Sequence, residues 1–500
     1  MRAPDRMRPP AARPALPPAV PATGRSNGWA GAVLGTGVAL AVVLHLQADF
    51  RFPVPWIDEA HFLTPALNLA RHLTLDAAQL NAPEGVYWMP DGYAAVLAAA
   101  FTLLPDTLAV GRWVSLALTL VFAGCLHAAT ASLGGSRLLA AAAIGTWLVS
   151  PRVVMMANLS RMEPLVLALA GVALLLAARR RWTAALAVAA LSPLAHPMGL
   201  LVCAAFAAAV LLNRAHLRAV GLRPGTGERA LLAVVALAWL AEAAHFLSHL
   251  ELLGDDLRLQ IERKQGRSLV PSIAEGATMG IGGAGAVSAT RAASRLGPDR
   301  AAAASLTLLL AAAFAVLTSV GNMMWYRVLG VETALLLIVV ASAVALPAWR
   351  PRPRWSAPGG LRGMAAVAAV VVAAAATTVL PVFGMRVTDG TRGEWARFAD
   401  TASSRLHEWD RGLDAPAVVA VVGNTAIGFP LAQERWRHLR FVTSTPVAPL
   451  APEQVDYLLS PDGLRRDGRA VVGRLRPGEH VFDLVSEQAT FQLHLYRRVP

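Results

Sequence analysis

The feature that most constrains this chain is a succession of apolar runs, each near the length of a membrane-spanning helix. Roughly 20 apolar residues carry a helix across the hydrocarbon core of a bilayer. Such runs recur from Trp29 to about residue 384 of the 500-residue sequence. Arginine-rich turns separate them, at Arg179-Arg180-Arg181, between Arg214 and Arg229, and between Arg350 and Arg354. With 55% hydrophobic residues and a mean hydropathy of +0.49, a water-soluble globule is excluded. The net charge of +13 would suit nucleic acid, but arginines gathered in short loops between apolar runs are the positive-inside signature of a membrane protein. No nucleic-acid partner is expected; membrane lipids are.

The segment 1–28 is rich in Pro and Arg, has no apolar core with a cleavage site of its own, and reads as a disordered cytoplasmic tail. A first span at about 29–47 leads to a long external segment, 48–108. Within it, Phe52-Pro53-Val54-Pro55 cannot be helical. An apolar stripe behind Asp58-Glu59 predicts a short helix lying on the membrane surface, and a second short helix is expected from Tyr93 to Leu104. Further spans are expected at about 110–131, 138–157, 164–178, 182–195, 198–213, 230–249, 268–290, 301–321, 328–347 and 364–384, about eleven in all. This register puts every arginine-rich turn on the cytoplasmic side. The fold class is an all-α polytopic membrane protein, with the membrane part over 29–385.

From about residue 386 the composition becomes mixed. Five segments, 417–422, 439–442, 455–459, 481–485 and 491–496, read as strands, and Glu394 to Leu406 reads as a helix. A small α/β domain over 386–500 on the extracytoplasmic side is expected. The turn Gly423-Asn424-Thr425-Ala426-Ile427-Gly428 lacks dinucleotide-binding spacing. Cys125 and Cys203 fall in apolar runs, where packing accounts for them. Lys264 is the single lysine, a bias of GC-rich bacterial genomes.

The proposed register brings polar residues from separate segments to the external face: Asp58, Glu59, Arg112, Arg161, Glu163, His196, Tyr326 and Arg327. Acidic residues at the mouth of a membrane helix are costly to keep near lipid and point to function. A carboxylate can serve as general base toward an acceptor hydroxyl or amine, and arginines bind phosphate through a planar fork. That pairing suits transfer from a phosphorylated lipid. The same residues allow other readings. Asp58 and Glu59 would cap a helix N-terminus, Arg161 and Glu163 would be interfacial anchors or a structural ion pair, and Arg112 would snorkel. His196 would be a helix-end polar residue, and Tyr326 with Trp325 would belong to an aromatic belt.

In order along the chain, these pieces resemble the GT-C class of lipid-linked-sugar glycosyltransferases, the protein mannosyltransferases and aminoarabinose transferases among them. The resemblance rests on Asp58-Glu59 after the first helix and Pro90-Asp91-Gly92-Tyr93 in the same loop. It continues through Arg112 opening the second span, Arg161-Met162-Glu163-Pro164, His196-Pro197 and Tyr326-Arg327. It implies an inverting glycosyltransferase of the bacterial inner membrane, with the N-terminus cytoplasmic and the C-terminus extracytoplasmic. The donor would be a polyprenyl-phosphate sugar and the acceptor a glycan, lipid or protein. Asp58 would be the base, with Glu59 beside it, and Glu163 a second acid that orients the acceptor or supports a cation. Tyr93, Arg112, Arg161, His196, Tyr326 and Arg327 would contact substrate. No cofactor is required by these motifs; a divalent metal is compatible with them. Two rival readings remain, a transporter and a non-catalytic scaffold for envelope assembly. Transporters show repeated halves with broken midplane helices, and no repeat is visible here.

Overall fold

The fold is known from a computed structural model, which describes residues 24–48, 57–75, 90–220, 225–251, 253–254, 297–320, 324–345, 391–422, 436–443, 452–460, 477–485 and 492–498. The first helix, α1 (Gly24–Ala48), begins inside the expected tail. The expected external segment contributes α2 (Ile57–His72) and α3 (Gly92–Leu103). Rather than lying free on a surface, α2 buries Phe62, Leu63, Ala66 and Leu67, and Phe62 meets the Tyr93 ring edge-on. The apolar stripe that predicted an interfacial helix thus faces protein.

Next come α4 (Leu108–Ser132), α5 (Arg137–Leu148), α6 (Pro151–Ala157) and α7 (Glu163–Ala178). They are followed by α8 (Trp182–Ala189), α9 (Ser192–Ala195), α10 (Gly199–Leu212), α11 (Arg214–Val220) and α12 (Thr226–Ser248). Two later helices, α13 (Pro298–Val320) and α14 (Met324–Ala345), pack along each other. The expected third span is broken. Ser150 caps α6, whose first residue is Pro151, so the helix restarts where proline costs no hydrogen bond. The fifth is broken between α8 and α9, with Pro193 at the start of the latter. Among the described residues, four helices are long and apolar enough to cross a membrane, over Gly28–Leu46, Leu108–Ser132, Thr226–Ser248 and Pro298–Val316. The expected spans at 268–290 and 364–384 lie outside the described residues, as does the Gly423–Gly428 turn.

Small residues let the helices approach. A Cβ on Gly37 of α1 would stand 2.6 Å from the Gly145 Cα of α5, which is how apolar helices pack closely without a hydrophobic driving force. The arginine-bearing helix ends also meet one another. Arg180 pairs with Asp299, His216 reaches the other oxygen of that carboxylate at 2.9 Å, and Arg181 reaches Glu228 at 3.4 Å. Arg300 donates to the carbonyls of Leu133 and Gly134, at 2.6 and 2.7 Å, at the C-terminal end of α4. Among the described residues, these contacts gather ends of α4, α7, α11, α12 and α13, with Arg180, Arg181 and Arg300, at one end of the bundle.

The C-terminal residues form a five-stranded sheet of β1 (Ala417–Val421), β2 (Leu439–Thr443), β3 (Tyr457–Ser460), β4 (Pro477–Val485) and β5 (Gln492–Arg498). The order is β2-β1-β3-β5-β4, with β1 parallel to β2 and β3, and β5 antiparallel to β3 and β4. All five expected strands are present. The helix α15 (Thr391–Arg411) lays Phe398, Ala402 and Leu406, four residues apart, on Val419, Val421, Phe441, Leu459, Leu493 and Leu495.

Asp410, at the end of α15 and 2% exposed, joins that helix to the entry of β2. Its carboxylate accepts from the backbone N–H groups of Arg437, His438 and Leu439 at 2.7, 2.7 and 2.9 Å. Burial favours the protonated form, but the three N–H donors outweigh it and hold the carboxyl below the usual carboxylate range. Asp410→Ala, which strands three donors, is expected to cost about 2–4 kcal/mol. Because the folded pKa is depressed, the stabilisation is present above about pH 4 and is lost as the pH falls further. Unfolding followed by Trp409 and Trp436 fluorescence should therefore show an acid-side loss in the native chain that Asp410→Ala lacks.

Candidate functional site

The site is built where the N-terminal ends of α2, α3, α4 and α7 converge with the end of α9. Glu59, in the first turn of α2, is 1% exposed, and Arg112, in the first turns of α4, is 0% exposed. The guanidinium grips the carboxylate through two parallel bonds, Nε to Oε1 at 2.9 Å and Nη2 to Oε2 at 2.8 Å. A third donor, the backbone N–H of Ser160, reaches Oε1 at 2.8 Å. Two buried ions are tolerable only with this kind of geometry, in which the attraction and the extra hydrogen bond offset desolvation.

A second pair lies beside the first. Arg161 donates through Nε to both Glu163 oxygens at 3.1 Å and through Nη2 to Oε1 at 2.8 Å. Both residues are buried, 4% and 3% exposed. Hydroxyls bridge the two pairs. Tyr93 Oη lies 3.1 Å from Ser115 Oγ and 3.2 Å from Ser160 Oγ, and Ser115 Oγ accepts from the Arg161 backbone N–H at 3.3 Å. Space is tight: a Cβ on Gly111 would sit 2.7 Å from Ser160 Oγ and 2.6 Å from Leu63 Cδ2.

His196, 8% exposed, ends α9 and stands within electrostatic reach of Glu163. Its Nδ1 accepts from the Met198 backbone N–H at 2.9 Å, which places the ring proton of the neutral form on Nε2. Of the residues expected from sequence, Glu59, Tyr93, Arg112, Arg161, Glu163 and His196 thus come together. Asp58 is the second residue of α2 and Tyr326 and Arg327 lie in the first turn of α14; their side chains lie outside the described residues. Glu332, further along α14, contacts Ser150 and reaches Arg152 at 3.3 Å.

Three participants were not expected. Ser115 and Ser160 carry no motif, and only the folded chain shows that they link the pairs. Glu242 was signalled by being a lone acid in the apolar stretch of α12. Its carboxylate accepts from the Asp91 backbone N–H, with oxygens at 3.2 and 3.4 Å, and the Asp91 carboxylate lies 3.6 Å from His245 Nε2. Burial pushes the Asp91 carboxyl above the usual range, and the His245 charge draws it partly back. This contact ties the start of α3, and so Tyr93, to α12.

The fold has a precedent among solved structures. ArnT from Cupriavidus metallidurans bound to undecaprenyl phosphate superposes with a TM-score of 0.55 over 94% of this chain and 98% of that one, at 17% identity. The apo form of the same protein gives 0.52 over the same shares, at 14% identity. The chain has the fold of ArnT. It is a polytopic membrane protein with a small C-terminal sheet. No family model and no curated protein matches it by sequence.

The Glu59–Arg112 pair makes a sharp prediction. Arg112→Met leaves a buried unpaired carboxylate and is expected to cost about 3–5 kcal/mol. Adding Glu59→Gln removes the charge while keeping an oxygen for Ser160, and should recover most of that loss. Thermal unfolding in detergent, read as a double-mutant cycle, checks it; additive losses would show that the two groups do not act as a pair.

Proposed function

We propose that this protein is an integral-membrane glycosyltransferase that moves a sugar from a polyprenyl-phosphate donor to an envelope acceptor, with inversion. The observation that carries the reading is the convergence of two buried acid–arginine pairs at one end of a bundle whose fold is that of ArnT, a protein crystallised with undecaprenyl phosphate. The described basic turns, with Arg180, Arg181 and Arg300, gather at the other end. In this reading the protein sits in a bacterial inner membrane with its N-terminus cytoplasmic, its C-terminal α/β domain (386–500) outside and the site on the outer face.

In this reading Asp58 is the general base. It removes the proton from the acceptor hydroxyl or amine as that atom attacks the anomeric carbon. The bond from that carbon to the phosphate oxygen breaks, and polyprenyl phosphate leaves with the electron pair. Arg112 was read from sequence as a substrate contact and Glu59 as a catalytic acid. Their mutual burial supports a different division, in which the pair positions the first turn of α2 and hence Asp58. Phosphate contact falls to Arg327, and Arg161 serves by holding Glu163. Glu163, His196, Tyr93 and Tyr326 orient the sugar and acceptor. Arg161 already occupies the Glu163 carboxylate, so no step is routed through a metal.

Sugar transfer in membranes, assayed with a panel of polyprenyl-phosphate sugars, tests this. Asp58→Asn is nearly isosteric and should lower transfer by about 10²–10⁴-fold, the range for a general base, in a normally inserted protein. Undiminished transfer would remove Asp58 from the chemistry and leave it a helix cap. Absence of transfer by the native chain with every donor would favour the scaffold reading.

A further inference from the structure

Strands β4 and β5 carry a group of side chains that the transfer reaction does not use. In an unbroken strand, side chains alternate between faces, so His480 and Asp483, three apart, would point to opposite sides. The pairing here slips. His480 faces Tyr496, but Phe482 faces Leu495 and Asp483 faces His494, so one extra residue is inserted at Val481. Such a bulge re-aims the side chains that flank it. Phe482 and Leu484 stay on the helix-covered face with Leu493 and Leu495. His480 swings to the other face, beside Asp483 and its cross-strand partner His494.

The three side chains converge on one point. His480 Nε2 lies 2.6 Å from Asp483 Oδ1, and His494 Nδ1 contacts the same oxygen. Their ligand atoms all lie within 4.8 Å of one another. The other ring nitrogen of His494, Nε2, lies 3.2 Å from Gln492 Oε1. In the neutral ring that contact places the N–H on Nε2 and turns the Nδ1 lone pair toward a carboxylate oxygen, an acceptor facing an acceptor. A cation between them removes the conflict, and an outer hydrogen bond of this kind is what commonly orients a metal-ligating histidine. Tyr496 backs both rings, at 5.4 Å from His480 and 6.4 Å from His494 between centroids. His480 and Asp483 are half exposed and His494 is mostly covered, so an ion has access from solvent.

We propose that this edge of the sheet binds one divalent transition-metal ion, zinc being the best fit, through His480 Nε2, Asp483 Oδ1 and His494 Nδ1. Two imidazoles and a carboxylate are ligands that zinc takes. Three protein ligands leave a fourth position for water or an anionic oxygen. Seating the ion requires the 2.6 Å separation to widen to about 3.3 Å, the ligand spacing of a tetrahedral zinc site, and an exposed carboxylate can make that movement. The ion would pin β4, the edge strand, to β5 across the bulge, where the backbone ladder is interrupted.

The test uses the full chain in detergent. In a Zn²⁺ titration, the native protein is expected to bind one equivalent more than His480→Ala/His494→Ala, and each single variant should bind that ion at least about tenfold more weakly. Asp483→Cys provides a second readout that does not depend on losing a site. Loaded with Co²⁺, it should show a thiolate-to-cobalt charge-transfer band that the native chain, despite Cys125 and Cys203, lacks, and adding His494→Ala should abolish the band. Equal Zn²⁺ uptake by the native chain and the folded double variant would overturn the proposal, as would an Asp483→Cys protein without the band.

Discussion

Everything at the site end of the bundle hangs on one buried ion pair. Glu59 belongs to a helix that follows the first span, Arg112 to the next long helix, and Ser160 to the connection after α6, yet a single carboxylate holds all three. Burying two ions costs several kcal/mol each even after relaxation, and only a bidentate fork with the remaining lone pairs occupied offsets it. The pair is therefore weak as a source of net stability and strong as a source of specificity: a sequence that pays the desolvation must adopt this register of α2 against α4. Gly111, one residue before the arginine, is where the Ser160 hydroxyl and Leu63 close over the pair, and a larger residue has no room there.

The second consequence is a bundle with unlike ends. Arg112 opens α4, and Leu133 follows its last residue. At 1.5 Å per residue, the distance between them is about 30 Å, the thickness of the hydrocarbon core. At one end, acids and arginines are buried in matched pairs joined by Tyr93, Ser115 and Ser160. At the other, arginines sit in exposed turns and reach across to Asp299, Glu228 and the free carbonyls at the end of α4. Charges that are solvated and screened orient a protein in a membrane; charges that are buried and matched shape a site.

How much of this was legible beforehand follows from the range of each interaction. Apolar runs, arginine turns and strand alternation are local patterns, so the helical bundle and all five strands could be read directly. The breaks at Pro151 and Pro193 were written in the sequence but were overridden by the attraction of a continuous apolar run. The acidic pair, Arg112, Arg161, Glu163 and His196 were visible as polar residues in costly places. The Arg161–Glu163 pair, two residues apart, was among the readings the sequence offered, but the meeting of Glu59 with Arg112 and Ser160 was not, because Glu59 and Arg112 are 53 residues apart and Ser160 a further 48 beyond Arg112. The hydroxyl bridges carry no charge and leave no mark in composition. The same holds for the bulge at Val481, which moves His480 to the side of Asp483 by a slip in pairing that the alternation pattern does not reveal.

The pairing also divides labour between two neighbouring acids. An ionised carboxylate has about four lone-pair sites, and Glu59 commits three of them to Arg112 and Ser160. A carboxylate so occupied is a poor base, since taking a proton would break contacts that keep a buried arginine satisfied. Glu163 is held in the same way by Arg161. Glu59 therefore serves, in our reading, to hold the backbone and an arginine, and Glu163 orients substrate without taking the proton. In our reading that leaves the proton transfer to Asp58, whose place in the first turn of α2 is set by the neighbour that cannot do the work itself.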